Sequence, residues 1–512
     1  MLLETWLTLL PAAIVLILSF STKKVIPSLI TGILVGVIIM NWQTPLEGAF
    51  YLTEVIYNDF FNQEHLFIIV FTALIAISVK FMEMQGGFQS IVYSLKNKVN
   101  NKQKVEYFTW LSGIIIFFDD YANTLIVGNS VRTLSDKFKV SREKLAYIVD
   151  ATSAPVASIG LITTWIGFQL GQIKIATEHI DIGLNSYQLF LGSLQYAYYP
   201  VLTLAFVGIL IYSQRDFGPM LKAEQKAEEK DNAIDFPKYI NQEGKPFYAI
   251  LPISILLLST LFFLIITGTS SGATGLTSIL GASDPYFSIL MGAFNTFFVC
   301  LIIEFSIGIT KYTSIAAIKG IKQVAEPIFI LLSAWAFADI LIELRTADHL
   351  IHSFNLKLNP LFIPAIIFLI ASLISFATGS SFGTMSIVYP IVIPFVWELL
   401  EHSPQIDQGV RLEIIYGTIS VVLAGAVFGD HCSPISDTTI LSSMSTNCDH
   451  IEHVKTQLPY AFTVGITSVT LLLIVFSFEL PWWLSFSLGF LLITAIIYLL
   501  GKKHGNTEPY NN

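Results

Sequence analysis

Apolar runs of about 20 residues recur along the chain, separated by short polar segments. A helix needs about that length to cross a hydrocarbon core of ~30 Å. The pattern predicts spans at 6–20, 25–41, 65–83, 145–170, 195–213, 248–267, 286–304, 325–343, 413–441, 458–478 and 481–501. Two further apolar regions, 108–134 and 361–396, are interrupted by polar clusters and read as re-entrant hairpins. Two spans carry chemistry foreign to a plain transmembrane helix. The apolar run 414–428 leads into Gly429-Asp430-His431-Cys432-Ser433-Pro434-Ile435-Ser436-Asp437-Thr438-Thr439, and an earlier span holds Asp150-Ala151-Thr152-Ser153-Ala154-Pro155-Val156-Ala157-Ser158. An acidic residue at the bilayer centre costs roughly 2.5–3.5 kcal/mol. Proline removes a helix hydrogen bond and clashes with the preceding turn. Such breaks are tolerated at membrane depth only inside protein or beside a wet cavity.

The two halves repeat each other. Leu66-Phe67-Ile68-Ile69-Val70 resembles Ile328-Phe329-Ile330-Leu331-Leu332, and Phe118-Asp119-Asp120-Tyr121-Ala122-Asn123-Thr124 takes the place of Phe376-Ala377-Thr378-Gly379-Ser380-Ser381. The broken spans align proline on proline, Pro155 on Pro434. If each hairpin stays on its entry side, an odd number of crossings separates the repeats, which makes them inverted, as is common in secondary transporters. The expected fold is therefore an all-α polytopic membrane protein of two inverted repeats, each with a re-entrant helical hairpin and a broken transmembrane helix. Its expected parts are N-terminal scaffold spans (1–64), a first repeat unit (65–171), a connecting span (172–214), a cytoplasmic linker (215–247), further scaffold spans (248–324), a second repeat unit (325–450), and C-terminal spans with a short tail (451–512).

Composition agrees with that class: 54% of residues are hydrophobic and 13% charged, too few charges for a soluble domain. Of the 28 Lys and Arg, all but Lys174, Arg345, Lys357 and Arg411 fall on one side of this topology. The positive-inside tendency makes that side cytoplasmic, so the N-terminus is expected outside and the C-terminus inside. No basic region precedes the first apolar run, which fits a retained helix better than a signal peptide. The net charge of −9 comes with no basic face for nucleic acid. Cys300, Cys432 and Cys448 do not suggest a disulfide framework. With no Walker loop, protease motif or redox Cys pair, neither ATP-driven transport nor an enzyme is expected, and no cofactor.

Four polar constellations carry the candidate chemistry. The first hairpin tip holds Asp119, Asp120, Asn123 and Thr124; the first broken span holds Asp150, Thr152, Ser153 and Ser158. The second hairpin holds Ser380, Ser381 and Thr384, and the second broken span Asp430, His431, Ser433, Ser436, Asp437 and Thr438. Carboxylates, hydroxyls and unwound carbonyls suit a hard cation, with Asp150, Asp430 and Asp437 as candidate Na⁺ ligands. Half-helix N-termini with Ser and Thr would instead favour an anionic group; both readings fit, and the carboxylates beside one histidine tilt the balance toward a cation. A partly buried carboxylate exchanges a proton for a metal ion readily, the minimum machinery of an antiporter. Each feature also has a plainer reading. The second hairpin's small residues serve close packing, Asp119 and Asp120 lie at a membrane surface, and His431 is a hydrogen-bonding partner of Asp430. Cys448-Asp449-His450-Ile451-Glu452-His453 looks like a metal site, but no second cluster completes it, and Asp449 reads as a helix cap.

The stretches 118–128, 141–158 and 429–439, the last continuing through Asn447-Cys448-Asp449-His450, resemble the NhaC-type Na⁺/H⁺ antiporter family. The resemblance covers roughly 60–465. It implies a bacterial inner-membrane secondary transporter with a scaffold and a mobile transport domain, working as a homodimer by an elevator-like motion. Its partners would be the lipid bilayer, Na⁺ and H⁺. The family also includes exchangers of organic acids, so two functions are carried forward. One is exchange of cytoplasmic Na⁺ (or Li⁺) for external H⁺. The other is an organic-solute exchanger or a Na⁺-coupled transporter of a small carboxylate or amino acid.

Overall fold

The computed structural model describes residues 6–96, 99–178, 180, 182–229, 244–273, 275, 279, 282–307, 313–346, 359–403 and 406–503. Residues 230–243 of the expected linker, and Lys357, lie outside them. Among the described residues the chain is almost wholly helical. Its one small sheet pairs Arg215–Asp216 antiparallel with Lys502–Lys503. Nine described helices are long and apolar enough to cross a membrane. This is a multi-pass membrane protein.

Both polar-interrupted apolar regions form a pair of helices and both expected spans break, but the arms of the later pair, Pro360–Thr378 and Ser381–Glu401, are each long and apolar enough to cross a membrane. The first hairpin is Lys102–Ile115 followed by Asp120–Lys137, and the second is Ile363–Thr378 followed by Ser381–Glu401. The later broken span is Gln408–Cys432 followed by Asp437–Thr446. The earlier one, expected as a single broken span over 145–170, is interrupted twice: Arg142–Ala151 stops, Ala154–Ile159 follows, and Ile166–Thr177 is a separate helix. Pro155, at the start of its short helix, has no N–H to continue the preceding ladder. The stretch 45–61 had no predicted element, yet Pro45–Phe61 is a helix. Glu47, Glu54 and Asp59 interrupt its apolar character, so a span-length window passes over it.

The chain divides into two compact units, each drawn from separated stretches. The first comprises residues 1–84, 161–197 and 250–429. Within it, helix Gln63–Met84 packs on both Pro285–Ile307 and Thr313–Glu343. Helix Gln408–Cys432 approaches Ile363–Thr378 through Gly425 and Gly429: a Cβ at these positions would lie 2.7 Å from the Phe368 carbonyl oxygen and 2.3 Å from that of Ser372. Small residues at this spacing let membrane helices touch backbone to backbone. The Ser375 hydroxyl uses that proximity to donate to the Ala426 carbonyl at 2.5 Å. Gly429→Ala is therefore expected to destabilise by about 1–3 kcal/mol. A thermal unfolding scan of purified protein would read this as a lowered midpoint, and an unchanged midpoint would refute the contact.

The second unit comprises residues 85–160, 198–249 and 430–512. The first hairpin grips the later broken helix here, with Gly128 so close to Ser445 that a Cβ would lie 2.1 Å from its hydroxyl. The linker helix Gly218–Glu229 is tied down by buried ion pairs. Lys102 Nζ lies 2.6 Å from Glu224, and Lys144 Nζ lies 2.7 Å from Asp216 and 3.1 Å from Glu106. Tyr460 donates to the other Asp216 oxygen at 2.6 Å.

Candidate functional site

The polar residues of the second unit are brought together by two helix breaks and one hairpin tip. At the tip, Asp119 caps helix Asp120–Lys137, accepting from the Ala122 N–H at 2.7 Å. Asn123 reaches across to the ends of two other helices. Its Nδ2 donates to the carbonyls of Gly113 (2.7 Å), Ile116 (3.1 Å) and Thr152 (2.7 Å). Carbonyls at helix ends have no partner in their own helix, so one amide fastens the hairpin to the first break. Asn123 Oδ1 is buried and has no hydrogen-bond partner.

The first break presents Asp150, 1% exposed. Its Oδ2 accepts from Thr439 Oγ1 at 3.1 Å and from Gln457 Nε2 at 2.7 Å. The same Gln457 nitrogen donates to the His431 carbonyl at 2.5 Å. His431 Nδ1 pairs with the Tyr199 hydroxyl at 2.7 Å, and the Tyr147 ring lies nearly parallel to the imidazole, 6.1 Å between centroids. His431 Nε2 is 3.9 Å from Asp150, beyond hydrogen-bond range.

The second break supplies Asp430, 5% exposed, which accepts from Thr438 Oγ1 at 3.4 Å. The Thr438 hydroxyl also meets Ser436 Oγ at 3.0 Å, and Ser436 caps helix Asp437–Thr446. Asp437 is exposed and accepts from the Tyr121 hydroxyl at 3.4 Å. Tyr121 lies within electrostatic reach of Asp119, Asp120, Asp430 and Asp437. The three carboxylates singled out as ligands thus form a series in burial, from exposed Asp437 through Asp430 to Asp150. Among the described residues no three His, Cys, Asp or Glu side chains close on one point as a metal cluster would.

Several hydroxyls expected at the site bond to backbone nearby. Thr124 donates to the Asp120 carbonyl, Thr152 to Ile148, Ser153 to Asp150 and Ser158 to Pro155. Ser433 is fully buried at the second break and accepts from the Ile435 N–H at 3.3 Å. Ser380, Ser381 and Thr384 belong to the first unit. There Ser380 caps its helix, Ser381 donates to the Ala426 carbonyl, and Thr384 donates to the Ser380 carbonyl. Sequence reasoning did not single out Gln457, Thr439, Tyr199 or Tyr121 as site residues, although Tyr121 and Thr439 lie within the polar motifs 118–124 and 429–439 and Gln457 is an amide within a long apolar helix.

Comparison with known proteins gives one family and one fold. The model of the Na⁺/H⁺ antiporter family matches residues 156–478. An uncharacterized protein of Haemophilus influenzae is 29% identical over 517 residues, covering 97% of this chain and 95% of its own. The malate-2H(+)/Na(+)-lactate antiporter of Bacillus subtilis is 28% identical over 188 residues, 36% of this chain and 38% of its own. Among solved structures, the YdaH transporter of Alcanivorax borkumensis superposes with a TM-score of 0.58 at 16% identity, covering 85% of this chain and 90% of that one. MtrF of Neisseria gonorrhoeae gives 0.54 at 14% identity, covering 84% and 85%.

Proposed function

The chain belongs to the Na⁺/H⁺ antiporter family, a family of secondary transporters, and from that premise we propose that it exchanges cytoplasmic Na⁺ for external H⁺. The observation that carries the proposal is the electrostatic state of Asp150. A buried charge requires a partner. In the same unit Glu106, Asp216 and Glu224 have theirs in Lys102 and Lys144. Asp150 has neutral donors, Thr439 and Gln457, and no lysine or arginine within ion-pair distance among the described residues. Its missing positive charge is mobile, either a proton or a metal cation, and the two exclude each other at one carboxylate. That exclusion is the coupling.

The cation enters past exposed Asp437, meets Asp430 with the Thr438 hydroxyl, and competes with a proton at Asp150. Asn123 Oδ1 is a further oxygen suited to a hard cation. The inverted repeats alternate access to this path, with the N-terminus outside and the C-terminus in the cytoplasm of the inner membrane. Two copies form the working dimer. The relatedness to a malate-2H(+)/Na(+)-lactate antiporter favours a second reading, in which Na⁺ couples to a small carboxylate held by hydroxyls and half-helix N-termini.

Proteoliposomes carrying a pH gradient separate the two readings. Addition of Na⁺ or Li⁺ alone should dissipate the gradient, and K⁺ should not. A response that requires malate, lactate or another small acid would replace simple cation exchange with the second reading.

A further inference from the structure

Gln457, in helix His450–Phe478, is 1% exposed and spends every polar atom of its side chain on the two helix breaks and their surroundings. Nε2 lies 2.7 Å from Asp150 Oδ2 and 2.5 Å from the His431 carbonyl oxygen, and Oε1 lies 2.9 Å from His453 Nε2. A backbone carbonyl can only accept, so the amide nitrogen, with its two hydrogens, must be the atom that faces His431. A flipped amide would set oxygen against oxygen there. His453 Nε2 then supplies the hydrogen of the third bond. The orientation is dictated by the His431 backbone and not by the charge on Asp150. It is therefore the same whether Asp150 is ionised, protonated or beside a cation.

The bond to Asp150 has a geometric consequence. A carboxylate oxygen has two lone pairs. Those of Oδ2 are taken, one by Gln457 Nε2 and one by Thr439 Oγ1 at 3.1 Å. His431 Nε2, 3.9 Å from the same oxygen, is beyond hydrogen-bond range. Oδ1 is the oxygen left for a proton or a metal ion.

We infer that Gln457 is a positioning residue for the exchange: it holds Asp150 Oδ2 in the protonated and the cation-bound state alike, and confines the competition to Oδ1. A hydrogen bond donated to a carboxylate is stronger than one donated to a neutral acid, by about a factor of ten in equilibrium. Gln457 therefore favours the ionised group over the protonated one, with or without a bound cation. Losing it strengthens the proton as a competitor and leaves the intrinsic affinity for the cation in place. Other groups bearing on Asp150 are His431, Asp430 across Thr438, Cys432, Tyr147 on the same helix, Tyr199, and His453 behind Gln457. This role deepens, and rests on, the antiporter reading.

Two measurements on the full chain in lipid test it. With ¹³C at aspartate carboxyls and ¹⁵N at glutamine side chains, a solid-state NMR dipolar contact should join Asp150 to Gln457. Asp150→Asn removes the labelled carboxyl and so assigns the contact. It should persist with Na⁺ at about pH 9 and without Na⁺ at about pH 5.5. Its loss in either state overturns the inference. In proteoliposomes the KM for Na⁺ in ²²Na⁺/Na⁺ equilibrium exchange is followed over the same range. Gln457→Met should raise KM about tenfold over wild type at the acid end, and the two curves should converge at the alkaline end. A merely structural defect would raise KM by one factor throughout or lower only the maximal rate, and either result overturns the inference. A wild-type KM that does not change with pH would instead sink the antiporter reading, and the NMR contact would still decide whether Gln457 holds Asp150.

Discussion

Asp150→Asn is expected to abolish Na⁺-driven proton movement while the protein still folds and inserts. The substitution keeps the shape and an oxygen that accepts from Thr439 and Gln457, so the bonds joining the two helix breaks survive. What disappears is the negative charge. Removing one partner of a buried charge pair costs about 3–5 kcal/mol, or about two to four orders of magnitude in affinity. Bound Na⁺ is therefore lost, and so is the group for which a proton competes. The pH-gradient assay in proteoliposomes, run beside a size-exclusion profile in detergent, reads both halves. Normal Na⁺-dependent proton flux from a well-folded Asp150→Asn protein would falsify the assignment.

Lys144→Met should instead cost stability, without touching the cation path. Lys144 shares its helix, Arg142–Ala151, with Asp150 but points into the ion-pair cluster beneath the linker helix. It is 1% exposed and serves Asp216 and Glu106 together. Its loss strands two buried carboxylates, again at about 3–5 kcal/mol, enough to remove most of the monodisperse protein recovered in detergent. Adding Glu106→Gln and Asp216→Asn should restore much of that yield, because stranded charge rather than lost packing is the cause. A single variant with wild-type recovery and melting would show that the cluster does not hold the unit together. The neighbouring Glu224, on the linker helix, responds to the same charges. Burial would raise its carboxyl, but Lys144 and Lys102 outweigh that and hold it below the ordinary carboxylate range. A lowered pKa contributes stability that is present above the unfolded value and fades as pH falls through the folded one. Acid, not alkali, is what loosens this helix.

Much of this was legible in the chain. Spans such as 25–41, 248–267, 286–304 and 481–501 are found within a few residues, because an uninterrupted apolar run of that length has one use. The helix breaks at Thr152–Ser153 and Ser433–Ser436 were legible for the converse reason: proline, carboxylate and hydroxyl cannot continue a lipid-facing helix without a purpose. Helix Pro45–Phe61 was missed because its acidic residues dilute the only signal used.

The sequence by itself determined that the chain is helical and membrane-spanning, where its helices break, and which carboxylates, Asp150, Asp430 and Asp437, stand at those breaks. Those properties follow from local composition, which reports what each segment must bury. Tertiary structure alone decided which side chains are partners: Gln457 on Asp150, Tyr199 on His431, Tyr121 on Asp437, and Ser443 between His450 and His453. It also decided that Lys144 compensates Asp216 and Glu106 while Asp150 has no Lys or Arg within ion-pair distance among the described residues. Most of these pairs join residues far apart in the chain, and a hydrogen bond depends on distances of a few tenths of an ångström that no spacing rule records.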